Sequence, residues 1–142
     1  MSCARGLAAA FATLAVALAA GLAAAETDWA PFAEADVVRI VTQDENGAER
    51  DTPVWIVVVE GASYVRTNDS HWLANIRRGS DVSLRLDATT RSVSAEEVGD
   101  PAVTTRVEEA FKAKYGFMQR VMSVFRLREP SVLRLREKAS GS

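Results

Sequence analysis

The sequence predicts an α+β domain that is mainly β, in which six antiparallel strands form a small barrel with helices packed outside it. Three observations predict this class. Runs rich in β-branched residues recur in the first half, strict apolar–polar alternation returns in the middle, and helical spacing dominates towards the C-terminal end. Six strands in an open sheet would leave exposed edges, and curling the sheet towards closure hides them.

Three consecutive strands are predicted in the first half of the domain. Residues 37–44 form the first strand, and Glu45-Asn46-Gly47 forms a tight turn because Asn-Gly readily adopts positive φ. An unbroken apolar run, residues 54–59, follows Pro53 and predicts a strand that is covered on both faces. After a second tight turn, residues 63–67 form the third strand.

A short helix follows the third strand. Its pattern spans residues 69–78, with Asp69 as the N-cap and Gly79 as the stop signal. The apolar residues share one helical face: Trp72, Leu73 and Ile76.

Two strands, a helical pair and a last strand complete the predicted order. Residues 82–86 alternate strictly, with Leu and Val inward, and residues 89–98 form a weaker strand. The first helix of the pair begins at the cap Asp100-Pro101 and ends at Gly116, and the second spans residues 117–125. Residues 132–136 form the closing strand. Apolar residues step by four along the first helix: Val103, Val107, Phe111 and Tyr115.

The first 25 residues differ from the rest and predict a secretory signal peptide. They are rich in alanine, Arg5 is their one charge, and Ala23-Ala24-Ala25 provides a cleavage site. Cleavage after Ala25 implies a periplasmic or secreted protein. The alternative is that residues 7–25 are retained as a membrane anchor, since they are just long enough to span a bilayer.

The predicted organisation after the signal peptide is a single domain. Residues 26–36 form a lead-in segment, residues 37–137 the barrel, and residues 138–142 a disordered tail. The net charge is −2 for the whole chain, and removing Arg5 makes it more negative. This charge argues against general nucleic-acid binding. After cleavage we expect no membrane association.

Most catalytic and metal-binding patterns are absent from the sequence. The one cysteine, Cys3, lies in the predicted signal peptide, and the one histidine, His71, has no metal-ligand spacing around it, so no metal site is expected. Two pairs of adjacent glutamates, Glu96-Glu97 and Glu108-Glu109, diverge on any regular element. Both pairs are therefore predicted to lie on solvated faces.

Residues 64–79 contain the richest set of candidate binding groups. Arg66-Thr67-Asn68 ends a strand, Ser70 adds a hydroxyl, and a helix then begins, which together suit an anion. The structural alternative is that Asp69 caps the helix, that Arg77-Arg78 complements its C-terminal dipole, and that Trp72 belongs to the core.

Three segments carry a family resemblance: Pro53-Val54-Trp55, Trp72-x-x-Asn75-Ile76 and residues 115–135. Together they resemble the FMN-binding split β-barrels of the pyridoxamine-phosphate-oxidase-like superfamily, and most closely their deazaflavin-dependent nitroreductase branch and its uncharacterised small relatives. Pro53-Val54-Trp55 is similar to the start of the family's long apolar strand. Trp72-x-x-Asn75-Ile76 is similar to the W-x-x-N-L of that branch, and residues 115–135 resemble its C-terminal helix and final strand. The resemblance spans about residues 37–136.

The resemblance implies a cofactor, FMN or deazaflavin, in a groove between barrel and helices, and hydride transfer to a nitro compound, quinone or enone. It implies Tyr115 as a catalytic residue and a substrate pocket at Trp55 and Phe117. The implied cofactor-binding residues are Arg66, Thr67, Asn68, Ser70, Trp72, Asn75, Arg77 and Arg78.

The chain departs from the family pattern in two places. His71-Trp72 stands where flavin-binding members carry a lysine, and the loop before Trp72 is short and free of glycine. A second hypothesis therefore stays open, in which the same barrel is a non-catalytic module that holds a small apolar or anionic ligand, or pairs with itself, without turnover. Both hypotheses include a small-molecule ligand or substrate and a homodimer.

Overall fold

The structure is a computed structural model that describes residues 28–121 and 130–138. The predicted signal peptide, the end of the helical pair at residues 122–125 and the last residues of the predicted tail lie outside the described residues.

The described part of the chain contains three helices and seven strands. They are α1 (Ala30–Glu34), β1 (Val38–Gln43), β2 (Glu49–Val54), β3 (Ile56–Val59), β4 (Ala62–Thr67), α2 (His71–Arg77), β5 (Val82–Leu86), β6 (Thr89–Glu97), α3 (Pro101–Val121) and β7 (Ser131–Glu137).

All seven strands belong to one antiparallel sheet in the order β2-β1-β5-β6-β7-β4-β3. The two outermost strands, β2 and β3, are consecutive in the chain and are separated by Trp55 alone. Val54 pairs with Val38 on β1, whereas Ile56 pairs with Val65 on β4. The sheet therefore curls until its two ends meet at Trp55, which is the split-barrel architecture that the resemblance implied.

The predicted count of six strands is wrong by one. Residues 49–59 form two strands, because the chain changes its pairing partner at Trp55. The apolar run marked residues 54–59, but the polar stretch Glu49–Pro53 carries no such pattern. It forms an edge strand that is mostly exposed or half-buried, so burial leaves little trace in its sequence.

Two apolar cores cover the two faces of the sheet. The first core contains Ile56, with Val58 packed against it, and the second contains Val57, with Val59 packed against it. Successive residues of β3 thus point to opposite cores, which confirms that the apolar run is covered on both faces. The first core also takes Leu84, in agreement with the predicted alternation of β5.

The helix α3 packs on the second core. Asp100 caps it, since its Oδ1 accepts a hydrogen bond from Ala102 N at 2.9 Å. Val107, Phe111 and Tyr115 form its buried face as the spacing predicted. The predicted break at Gly116 is wrong, because α3 continues to Val121 and Gly116 does not adopt the positive φ of a helix stop.

The segment predicted as a lead-in packs into the domain. The single turn of α1 places Trp29 and Phe32 in the first core, where their rings meet edge to face with centroids 5.5 Å apart. The Arg91 guanidinium lies 4.7 Å from the centroid of the Phe32 ring. Residues 28–36 therefore contribute to the barrel's packing.

Ser63 provides a first test of the packing. It lies fully buried on β4, and its hydroxyl has no hydrogen-bond partner among the described residues. We expect Ser63→Ala to leave the free energy of unfolding unchanged or to raise it by up to about 1 kcal/mol, because it removes an unpaired buried polar group. Urea denaturation checks this. The exposed Ser92→Ala is the matched control, and a clear loss in Ser63→Ala would contradict the assignment.

Candidate functional site

A cleft of about 340 Å³ opens beside the meeting point of β2 and β3. Its walls come from the residue before β1, the β2–β3 corner, the end of β4 and the start of α2. The lining residues are Val37, Pro53, Val54, Trp55, Arg66, Thr67 and Trp72. The fold thus brings together four of the residues predicted for the site: Trp55, Arg66, Thr67 and Trp72.

Trp55 occupies the corner because the chain changes strand partners there. Its indole stacks on the Tyr115 ring of α3 with centroids 4.4 Å apart and planes within 3° of parallel. The second core therefore supports the aromatic wall of the cleft from behind, and α3 determines where that wall stands.

The hydroxyl of Tyr115 is occupied by main-chain groups. Its oxygen lies 3.1 Å from Ile56 N, which donates to it, and 2.8 Å from Asp36 O and 3.0 Å from Ile56 O, which can accept from it. Burial raises the pKa of Tyr115, so the phenol stays protonated. These contacts give Tyr115 a structural function at the corner and do not present its hydroxyl to a ligand in the cleft.

Lys114 is a further corner residue that sequence analysis missed. Its Nζ donates to Ala35 O at 2.7 Å and to Ile56 O at 2.8 Å. Burial lowers the pKa of Lys114. Neighbouring residues of α3 therefore tie the start of β3 to the segment before β1.

Arg66 lines the cleft, and its charge is already matched by a carboxylate. Its guanidinium forms an ion pair with Glu108 on α3 and lies 4.2 Å from the centroid of the Phe111 ring. The side chain is only 9% exposed. Burial lowers the pKa of Arg66, and the neighbouring Glu108 carboxylate opposes that change. The predicted solvated face holds for the exposed Glu109 but only in part for Glu108, which is 30% exposed and pairs with Arg66 on β4.

The start of α2 differs from the predicted cap. Ser70 is the N-cap, and its Oγ accepts a hydrogen bond from Leu73 N at 3.2 Å. Asp69, predicted as the cap, and Asn68 are both exposed. Gly79 stops the helix as predicted, with a φ of +91°. The Ser70 hydroxyl thus serves the helix itself.

Asn75 and Arg78 lie away from the cleft, in a polar network at the β1–β2 turn. The Asn75 amide nitrogen donates to Thr42 Oγ1 at 3.0 Å and to Asp44 Oδ1 at 2.8 Å, and its oxygen accepts from Arg78. The Arg50 guanidinium first, and then this amide, lower the pKa of Asp44. Asn75 is therefore a fold residue that anchors α2.

The remaining predicted residues lie apart from the cleft. Arg77 pairs with Glu97 on β6 at 2.6 Å, and both side chains are about half exposed. Phe117 stands on α3 with 79% of its surface exposed and does not line the cleft. The structure thus divides the predicted site into a cleft group, a network around Asn75, and isolated surface residues.

The described residues fit the ring of the predicted cofactor better than its phosphate. The cleft is lined by two tryptophans, a proline and two valines. Trp72 belongs to the first core, as the structural alternative predicted, and is only 4% exposed, so Trp55 is the main aromatic surface of the cleft. Four of the six groups predicted to hold a phosphate contact other parts of the protein: Arg66 pairs with Glu108, Ser70 caps α2, Arg77 pairs with Glu97 and Arg78 donates to Asn75. The other two are Thr67, which lines the cleft, and Asn68, which is exposed. The apolar lining of the cleft suits an aromatic ring better than a phosphate, because the arginines predicted to hold the phosphate are already paired.

Metal-binding clusters and membrane-spanning helices are both absent from residues 28–121 and 130–138. No group of three or more histidine, cysteine, aspartate or glutamate side chains there is placed to hold a metal ion. No helix in that part of the chain has the length and apolar character needed to cross a membrane.

The curled seven-stranded sheet with α3 on one face defines a protein of the split-barrel fold class. Solved structures confirm the fold. Protein Rv2991 of Mycobacterium tuberculosis matches with a TM-score of 0.58 and 20% identity over 76% of each chain. HutZ, the heme storage protein of Vibrio cholerae, matches with a TM-score of 0.58 and 15% identity over 75% of this chain and 84% of its own.

An F420-H2 dependent reductase, FDR-A, also shares the fold, with a TM-score of 0.54 and 16% identity over 71% of this chain and 94% of its own. Within the class, residues 28–134 match the family described as "Uncharacterized protein conserved in bacteria (DUF2255)", and the chain belongs to this family. A comparison with curated proteins finds no match.

Proposed function

We propose that this protein is a ligand-binding split barrel that holds a small, planar, uncharged aromatic molecule in the cleft at Trp55. One observation carries the proposal. The cleft is lined by Trp55 and Trp72 together with aliphatic side chains, and Arg66, the one charged residue among the described lining residues, is already paired with Glu108. Small-molecule sites generally combine apolar walls with a few polar groups, and Thr67 supplies such a group here.

The corner is built to keep its shape before a ligand arrives. Tyr115 supports the Trp55 ring. Its hydroxyl accepts a hydrogen bond from Ile56 N and the Lys114 ammonium donates one to Ile56 O, so both side chains hold the start of the strand that follows. A preorganised wall reduces the entropic cost of binding. A flat ring against an indole gains about 0.5–1.5 kcal/mol beyond the burial of its surface.

The finer hypothesis is a flavin- or deazaflavin-dependent oxidoreductase. Supporting it are the shared fold of the F420-H2 dependent reductase and the apolar cleft, where a flavin-type ring would lie. When bound, such a ring supplies hydride transfer, and this chain would contribute position and exclusion of water through Trp55 and Trp72. Because Arg66 is already paired with Glu108, the cleft favours binding of an uncharged ring over binding of a cofactor's phosphate tail. This favours the non-catalytic binding module over the redox enzyme.

Heme is less well matched to the cleft, although the structural relative HutZ is a heme storage protein. His71 does not line the cleft. It stands four residues before Asn75, so the two share a face of α2, and Asn75 contacts β1. The described cleft therefore offers no histidine to a heme iron.

Export and dimerisation are further parts of the proposal. The composition of residues 1–25 supports cleavage after Ala25 and a periplasmic or secreted location. The expected mature N-terminus is Glu26, which mass spectrometry of the exported protein would check. A homodimer would be tested by sedimentation of the same sample.

Titration of the purified protein with riboflavin, FMN, deazaflavin and heme tests the proposed site. Two of the three tryptophans line the cleft, so a bound ring should quench their fluorescence. We expect Val37→Asp to weaken binding at least about tenfold, because Val37 lines the cleft and a charge there must be desolvated when an apolar ring binds. Val37 is 44% exposed, so the fold should tolerate the change.

The matched control is Phe117→Asp, which places the same charge on the exposed face of α3 and should leave binding unchanged. Loss of binding in Phe117→Asp with full binding in Val37→Asp would place the pocket on α3 instead. If no planar ring binds the wild-type protein, the proposed function is wrong.

A further inference from the structure

The most unusual contact at the cleft is the shielded ion pair between Arg66 and Glu108. The Arg66 side chain lines the cleft and is covered by the Phe111 ring and by α3. An arginine does not lose its charge in a protein, so a guanidinium at this depth needs an anion. In the described part of the chain, Glu108 supplies that anion.

Glu108 holds its position with one oxygen and leaves the other without a partner. Its Oε2 accepts from Arg66 Nη1, whereas its Oε1 is buried and has no hydrogen-bond partner among the described residues. A carboxylate in an ordinary structural ion pair usually has its second oxygen solvated or hydrogen-bonded. This one bears the cost of a buried, unpaired acceptor, and its evident contribution is to cancel the charge of the cationic side chain at the cleft.

We infer that Glu108 determines the charge preference of the cleft by neutralising Arg66, so that uncharged rings are accepted over anionic forms of the same ring. This inference rests on the proposed ligand-binding function and adds a specificity residue to it. An anion entering the cleft meets a guanidinium whose charge is already matched and a carboxylate that repels it. Without the Glu108 charge, the same guanidinium becomes an anion-binding group.

Riboflavin and FMN are the matched probes, because they share one ring and differ by a phosphate. Wild-type protein should bind riboflavin more tightly than FMN. Glu108→Gln keeps the shape of the side chain and an oxygen that can accept from Arg66, but removes the charge. We expect this variant to bind FMN about ten- to a hundredfold more tightly than wild type does, which is the range of one hydrogen bond between charged groups. Its affinity for riboflavin should change little.

Glu109→Gln is the matched control. It removes the same charge one residue further along α3, where the side chain is exposed, and should leave the preference unchanged. In the double variant Arg66→Met/Glu108→Gln the gain for FMN should disappear, because the gain depends on the guanidinium. Thermal melting adds a second readout: FMN should raise the melting temperature of Glu108→Gln more than riboflavin does.

The outcomes separate the inference from the proposed function. If wild type prefers FMN, or if Glu108→Gln and Glu109→Gln change the FMN-to-riboflavin ratio equally, the inference is overturned while the binding site stands. If Glu108→Gln does not fold, the wild-type preference between the two probes alone decides the inference. If neither probe binds wild type and Val37→Asp does not change the affinity for any other ring, the proposed function itself is wrong.

Discussion

Phe32→Ala is expected to lower the free energy of unfolding by about 3–5 kcal/mol, the range for deleting a buried phenyl ring and leaving a cavity. Phe32 is fully buried in the first core, although it lies in a segment whose sequence predicted only a lead-in. The Trp29 ring meets it edge to face, and Arg91 covers it. The substitution removes these contacts together with the buried apolar area.

The matched control is Phe117→Ala, which makes the same change at a side chain that is 79% exposed. Its expected effect is within about 0.5 kcal/mol, as for surface substitutions in general. Chemical denaturation of both variants measures the difference. Equal stabilities would mean that residues 28–36 are a separable lead-in and contribute nothing to the barrel.

Tyr115→Phe is expected to cost about 2–3 kcal/mol, although it removes a single oxygen. That oxygen lies within hydrogen-bonding distance of Ile56 N, Ile56 O and Asp36 O, and the substitution leaves the buried Ile56 N–H without this acceptor. The phenylalanine ring retains the stacking on Trp55. The loss of stability therefore reports the hydrogen bonds at the corner and not the packing.

Tyr64→Phe is the control for this change. Tyr64 is also buried, but among the described residues its hydroxyl has one hydrogen-bond partner, the half-buried Arg134, whose Nε lies 3.0 Å away. We expect this variant to lose about 1 kcal/mol or less. A Tyr115→Phe variant that unfolds like wild type but loses a ligand-dependent activity would contradict the structural assignment and support the catalytic role that the family resemblance implied.

The spacing of apolar residues in the sequence was sufficient to predict the strands and the helix face in which buried residues recur at regular intervals. The alternation of residues 82–86, the steps of four from Val107 to Tyr115 and the doubly covered run at residues 54–59 all correspond to observed cores. Turn chemistry was equally informative. Gly47 and Gly79 have positive φ at the predicted positions. These signals are local, because each depends on neighbours a few residues away.

Patterns failed where a local signal had to compete with packing. The glycine at position 116 predicted a break, but the face of α3 is set by the second core, and a glycine inside a helix costs only about 1 kcal/mol. The polar strand β2 has no repeating burial, because it lies at an edge of the sheet. Tertiary contacts outweigh weak local preferences in both places.

The cleft also combines features that the sequence predicted with features that only the tertiary structure shows. Sequence resemblance placed Trp55, Arg66, Thr67 and Trp72 near a ligand, and the fold brings these four to one cleft. It could not show that Arg66 is matched by Glu108, 42 residues away, or that Asn75 turns to Thr42, 33 residues away. Such partners meet only when the sheet curls and the helices pack on it. The residue types at the cleft are therefore encoded locally, whereas its charge is decided by the tertiary structure.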